Sequence, residues 1–366
     1  MKKHFIAAAV AAAVAVPAVA QVSVYGVIDK GIRDIDSANY NGTAATVGLA
    51  SGASNGQLSS ERIGFRGSED LGGGLKAHFV AEAAIGSTAF NLGTDNARTL
   101  IVGLSGGFGT INLGRDKTPS QLFAEAYTAG AANNMVGEGL LYKGLESAST
   151  HSSSTVAGAN LLSEADLERA NGVTYISPNF NGVTARVMFA SNDVETSRTS
   201  SGTIAGRDEL SVTDISVRYS AGGLDVGLAL GSTEEESGAT AATNTENDLK
   251  QFGASYSIGP AKVFLQYADT TSKGTNGATD RTQEVTQAGI QLKTGANLMV
   301  YGQLSDGEVT SGTAKTFDTK SYQVGALYSL SKRTTAYVIM GEQKNTNTSN
   351  VTLKDDGFAV GVRHTF

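Results

Sequence analysis

Along most of this chain, apolar and polar residues alternate with a period of two. In Ser60–Glu82, Ile63 and Phe65 fall on one face and Arg62 and Arg66 on the other. A glycine-rich turn follows over Asp70–Gly74. Beyond it Leu75, Ala77, Phe79 and Ala81 share a face, opposite Lys76, His78 and Glu82. Successive side chains of a strand point to opposite faces, so the stretch predicts a hairpin with one apolar wall and one charged wall. The pattern recurs to the last residue. Val183, Ala185, Val187 and Phe189 alternate with Thr184, Arg186 and Met188; Ile215, Val217 and Tyr219 alternate with Asp214, Ser216 and Arg218. Phe358, Val360, Val362, His364 and Phe366 alternate with Ala359, Gly361 and Arg363. Two runs, Asn297–Leu304 and Thr334–Gly341, read equally well facing either way.

Two kinds of connection separate the runs. Seven are short: Ser68–Gly74, Gly106–Gly107, Pro178–Gly182, Ser220–Gly223, Ile258–Pro260, Thr294–Ala296 and Leu330–Arg333. Eight are long and polar, near Asp34–Gln57, Gly86–Ala97, Asp116–Ala170, Asp193–Glu209, Thr233–Glu246, Thr271–Arg281, Ser305–Asp318 and Lys344–Asp355. They alternate strictly, which gives sixteen runs paired up and down with all long loops at one end. An even-stranded sheet of this kind can close and so remove its edges.

Composition decides which wall faces out. The chain opens with Met-Lys-Lys-His, an apolar run over Phe5–Val16 and Pro17-Ala-Val-Ala20, the signature of a secretory signal peptide over 1–20, cleaved before Gln21. Losing Lys2 and Lys3 takes the formal charge of −7 to −9, so the mature chain, 21–366, is exported and acidic. It has no cysteine, which excludes a disulfide scaffold, and no later run reaches the ~18 apolar residues of a spanning helix. Sixteen strands make a barrel too wide for side chains to fill, wide enough for an aqueous channel. Tyr25, Tyr175, Tyr219, Tyr256, Tyr267, Tyr328 and Phe358 fall near the ends of the apolar wall, as girdles at a membrane interface would. A mean hydropathy of only −0.11 fits spans that are half apolar. The fold expected is all-β: a 16-stranded antiparallel transmembrane β-barrel, apolar wall to lipid and polar wall to the lumen.

Several stretches carry a family resemblance: Val24-Tyr-Gly-Val27, the hairpin Ile63–Ala77, Val102–Thr110 running into Leu113-Gly-Arg115, Tyr175–Gly182, Leu330–Thr334 and Gly361-Val-Arg-His-Thr-Phe366. With these the chain resembles the bacterial general porins, especially their neisserial and β-proteobacterial branch. The resemblance implies a homotrimer in the Gram-negative outer membrane, in contact with lipid and lipopolysaccharide. It also implies passive passage of ions and small hydrophilic solutes, and a third loop folded into the lumen. Gly144–Ala170 matches no family motif.

The third loop, about 116–170, holds Leu122, Phe123, Tyr127, Met135, Leu140, Leu141, Tyr142 and Leu145, which need somewhere to pack. A long loop in a compact protein is usually functional or disordered; this one is not a pure polar linker, and the interior of a wide barrel can receive it. Folded in, it would carry Glu125, Glu138 and Glu146 into the constriction; the alternative is a surface loop over a neighbouring subunit. The inward parity collects Arg62, Arg66, Lys76, Arg186, Arg218, Lys262, Lys293 and Arg363 against Glu82, Asp214 and Asp225, a wall that leans basic in an acidic chain. Arg98 and Arg115 share parity with outward residues and reach the lumen only where their strands have ended. Charge facing charge across a narrow channel sets ion preference, here weakly for anions. His78, His151 and His364 lie on different elements, and the chain has no HExxH, no metal-spaced ligand pairs and no G-x-S-x-G elbow. No cofactor and no enzymatic activity are expected, and the acidic balance disfavours nucleic acid. A non-conducting structural or adhesive barrel and a barrel hydrolase remain the alternatives to a channel.

Overall fold

The computed structural model describes residues 21–38, 46–50, 58–85, 97–130, 168–198, 204–237, 243–273, 279–350 and 352–366. The expected signal peptide, together with Glu138 and Glu146, lies outside them. The strands are β1 (Gln21–Ala38), β2 (Thr46–Ala50), β3 (Arg62–Gly72), β4 (Leu75–Ala84), β5 (Ala97–Gly106) and β6 (Gly109–Lys117). After helix α1 (Pro119–Ala126) come β7 (Arg169–Ile176), β8 (Val183–Arg198), β9 (Ile204–Ala221), β10 (Leu224–Ser237) and β11 (Thr243–Ile258). The chain ends with β12 (Ala261–Lys273), β13 (Arg281–Thr294), β14 (Leu298–Ser311), β15 (Ala314–Ser329), β16 (Thr334–Asn347) and β17 (Thr352–Thr365).

Every neighbour pair is antiparallel, and β17 returns to β1 from Val27↔Thr365 to Ala38↔Lys354, closing the sheet. The seventeen segments fill sixteen strand positions, because β2 and β3 share one. β3 pairs with the start of β1, ending at Val27↔Arg62, and β2 pairs with its far half, beginning at Gly31↔Ala50. β2 falls inside the stretch expected to be the first long loop. A tight pair of backbone bonds between Gly26 and Phe366, 3.1 Å each, locks the closing edge.

The apolar wall faces outward. Val22, Val24, Leu100, Val102, Leu228, Leu230, Val324 and Val360 are exposed, while Asn112, Gln251, Gln266, Gln287, Gln303 and Gln323 are buried on the other side. In water such a surface would be an aggregation site; acyl chains turn it into the favourable side. The two ambiguous runs are settled by the sheet: Tyr301, Tyr337 and Ile339 point in, and Leu304, Val338 and Met340 point out. Tyr175, Tyr219, Tyr256, Tyr267, Tyr328 and Phe358 are outward, but Tyr25 is not. It sits between outward Val24 and Gly26 in the alternation, and its hydroxyl donates to Glu82 at 3.0 Å on the lumen side.

The long loops are shorter than the alternation predicts. β14 and β15 are joined by Gly312 and Thr313 alone, not by Ser305–Asp318, and β8 and β9 run on to Arg198 and from Ile204. Beyond the apolar band both faces of a strand meet water, so the ladder continues without a hydrophobic dyad to announce it.

Candidate functional site: the barrel lumen

The strand positions differ in height. β5, β6 and β7 have 10, 9 and 8 residues, against 18 in β9. Where β6 ends, Thr118 caps α1 through a bond from the Gln121 amide to its Oγ1, with Pro119 at the first helical position. The helix and the residues after it lie against the polar wall. The Ser120 amide donates to Asp214 Oδ1 at 2.9 Å, and the Ser120 hydroxyl donates to Oδ2. The Tyr127 hydroxyl donates to Asp225. Gln291 Nε2 donates to the Ala129 carbonyl at 2.8 Å, and the Gly130 amide donates to Gln303 Oε1 at 2.6 Å. Burial, and then the bond to Asp225, hold the Tyr127 hydroxyl above the ordinary phenol range, so it stays a donor.

Glycines carve the wall to receive this segment. A Cβ on Gly227 would lie 2.9 Å from the Phe123 ring, and one on Gly253 would overlap the Tyr127 ring. Ala129 fills the corresponding space over Gly289. Phe123, Tyr127 and Ala229 form a buried apolar cluster, with ring centroids of Phe123 and Tyr127 4.7 Å apart. Residues 118–130 therefore run along the inner faces of β9, β10, β11, β13 and β14. The residues that follow, 131–167, lie outside the described residues.

Beside this segment, and bordered by its Leu122, is an open cavity of about 440 Å³, lined also by Tyr25, Arg62, Arg66, Glu82, Arg98, Asp116, Lys117 and Arg169 among others. Five cations surround two carboxylates. Glu82 accepts from Arg98 Nε at 2.9 Å and lies 3.6 Å from Arg62 Nε. Arg66 stands 5.2 Å from the centre of the Tyr25 ring and donates to Ser23 Oγ at 3.3 Å. Arg169 donates to the Arg98 carbonyl at 3.0 Å and to Glu168 at 3.1 Å.

The other residues expected on the pore wall are scattered. Arg98 reaches the cavity through an irregularity in the ladder: Glu82 pairs with Thr99 and Ala83 with Ala97, so Arg98 is the extra residue and turns inward. Arg115 keeps its outward parity at the top of β6 and donates to the Ala97 carbonyl at 3.1 Å, outside the cavity. Arg186, on β8, is within electrostatic reach of Asp116 and Arg218. Arg363 sits close to Arg62 and Asp29. Arg218 is occupied with the inner segment, 2.7 Å from Asp225 and 5.3 Å from the Tyr127 ring centre. Lys76 and Lys262 stand at the short-turn end, Lys262 above the Phe264 ring at 4.8 Å. Glu125 pairs with Lys117. Arg169 and Lys117 were missed, since both sit at strand ends inside the stretch that reads as loop. Among the described residues no cluster of His, Cys, Asp and Glu could hold a metal ion.

Comparison with known proteins adds the family. The model of the Gram-negative porins matches residues 7–348. The chain is 30% identical, over the full length of both, to outer membrane porin protein 32 of Delftia acidovorans. It is 28% identical, again over both full lengths, to the major outer membrane protein P.IB of Neisseria meningitidis. Among solved structures it is similar to an anion-selective porin from Comamonas acidovorans, with a TM-score of 0.70 and 26% identity, over 95% of this chain and 100% of that one. OmpT of Vibrio cholerae, 14% identical with a TM-score of 0.67 over 95% and 99%, shares the fold. A closed barrel with its apolar wall outward, a polar lumen and this match along nearly the whole sequence together make the chain a member of the Gram-negative porin family, a multi-pass protein of the outer membrane.

Proposed function

We propose that the chain forms a water-filled channel for passive diffusion of ions and small hydrophilic solutes, weakly preferring anions. The observation that carries the reading is the cavity in which Arg62, Arg66, Arg98, Lys117 and Arg169 outnumber Glu82 and Asp116. In a narrow lumen with low-dielectric walls, an excess of fixed positive charge raises the local anion concentration. The similarity to a porin named as anion-selective supports the same sign. The third connection, residues 116–170, acts as the constriction, with Glu125 at its root. The signal peptide 1–20 is removed, and the mature chain assembles as a homotrimer surrounded by lipid and lipopolysaccharide; a relative of the same fold is described in a trimer form. No cofactor takes part.

The test is reversal potential in a salt gradient across a planar bilayer. Wild type should show anion preference, and Arg62→Glu with Arg66→Glu should move it toward cations. Cation preference in the wild type overturns the charge assignment; absence of conductance from a folded barrel overturns the channel.

A further inference from the structure

We infer that Leu58–Glu61 is a second inward element of the lumen: it covers the β14–β17 side and steers permeating ions to the arginine side. The inference rests on the channel reading above and adds a specificity-determining segment to it. Leu58 is fully buried and belongs to one apolar cluster with Tyr301, Leu327, Tyr337, Ile339 and Ala359. On the opposite faces of the same strands, Val338, Met340, Phe358 and Val360 are exposed to the outside. Leu58 therefore lies within the barrel, not over its lipid face.

The chain enters there because β1 changes partner. Its last pair with β3 is at Val27 and its first with β2 at Gly31, so Ile28–Lys30 lack a neighbour on that side. The unpaired stretch is satisfied from within. The Leu58 and Ser59 amides each donate to Asp29 Oδ2 at 2.8 Å, and the Tyr337 hydroxyl donates to Oδ1 at 2.7 Å. Glu61 accepts from the Asp29 amide at 2.9 Å and from Lys30 Nζ at 2.8 Å. Asp29 and Glu61 are both essentially without solvent contact, and a buried carboxylate so fully bonded holds its partners in one place. Glycine makes the room: a Cβ on Gly31 would stand 3.0 Å from the Tyr337 hydroxyl, and one on Gly361 closer still.

The two inner segments rest on neighbouring side chains of the wall. Tyr301, in the same buried cluster as Leu58, donates to Gln323 at 2.7 Å, beside Gln303, which receives the Gly130 amide. Residues 118–130 cover the wall from β9 to β14, and Leu58–Glu61 continue that cover to β17. Among the described residues, the wall from β3 to β7, with its arginines, still borders an open cavity. Narrowing the water path brings each ion nearer to those charges, which strengthens their effect.

The natural chain has no cysteine, so Ser59→Cys introduces a single thiol, at a residue that is half-buried but whose hydroxyl is itself covered. The full-length channel in a planar bilayer is treated with a sulfonate-bearing and, separately, a trimethylammonium-bearing methanethiosulfonate. Both adducts should lower single-channel conductance. The sulfonate should shift the reversal potential toward cations and the ammonium toward anions. Leu58→Ala, which needs no labelling, should raise conductance and weaken the anion preference. The inference is overturned if the thiol is fully labelled by mass with conductance and reversal potential unchanged. It is equally overturned if a folded Leu58→Ala conducts as wild type does, and this variant also decides the case in which the covered thiol stays unreactive. A wild-type barrel that does not conduct would instead sink the channel reading itself.

Discussion

Glu82 shows how one side chain sets the character of the lumen. It takes the Tyr25 hydroxyl and Arg98 Nε and stands near Arg62, on the cavity side of β4. It offsets part of the excess positive charge and also holds the guanidinium groups in place. Replacing it by glutamine removes the charge but leaves an amide oxygen that still accepts. Glu82→Gln should therefore shift the reversal potential toward anions with little change in conductance; an unmoved reversal potential would mean that ions do not sense this carboxylate. The parity of Glu82, Arg62 and Arg66 is readable from alternation. That of Arg98 is not, because a single irregular position in the ladder inverts it, and no residue type marks that position. Tyr25 misleads for a related reason: aromatics suit both a membrane interface and a cross-strand place over glycine, here Gly64.

Among the elements, the inner segment over 118–130 shows the clearest fit between chain and wall. Gly227, Gly253 and Gly289 come from three different strands, and each leaves space for one side chain of the segment. Gly253→Ala would drive a methyl into the Tyr127 ring. Overpacking of this kind costs about 1–3 kcal/mol. The variant should unfold at a lower temperature, read as the conversion from folded to unfolded mobility in SDS electrophoresis, and its conductance should change as the segment shifts. An unchanged conductance and midpoint would show that the segment does not rest there. The outer ends of the strands give the opposite expectation. Lys315 bridges Glu308 at 3.1 Å and also pairs with Asp318, all about half exposed. Exposed pairs contribute little to stability, so Lys315→Ala should leave the same midpoint nearly unmoved. The extra length of these strands could not be read from the dyad, because a strand with water on both faces has no apolar side.

For the whole molecule, shape and charge act together. Lipid contact needs the outward apolar band, ions need the aqueous column, and closure of β17 on β1 supplies both without a free edge. If fixed charge sets the preference, it must respond to screening. The Debye length falls from about 10 Å at 0.1 M salt to about 3 Å at 1 M. The anion-to-cation permeability ratio should therefore decline as mean salt rises at a constant gradient. A ratio independent of salt would point to selection by size. The strand count, the closure and the sidedness of this architecture are legible in the sequence because each rests on a repeated local rule. The cavity is less so: its cations come from β3, β5, β6 and β7, far apart along the chain.

Alternation and turn chemistry by themselves determined an up-and-down barrel of sixteen positions, which wall meets lipid, and a lumen richer in arginine than the acidic chain as a whole. They could do so because side-chain direction in a strand is a local property with period two. Only the tertiary structure decided which of those arginines stand together. It also decided that Arg98 turns in while Arg115 does not, and that Leu58 and residues 118–130 pack against the inner wall. Those outcomes depend on which strands become neighbours and where the ladder breaks, and neither is encoded within the few residues that form a single strand.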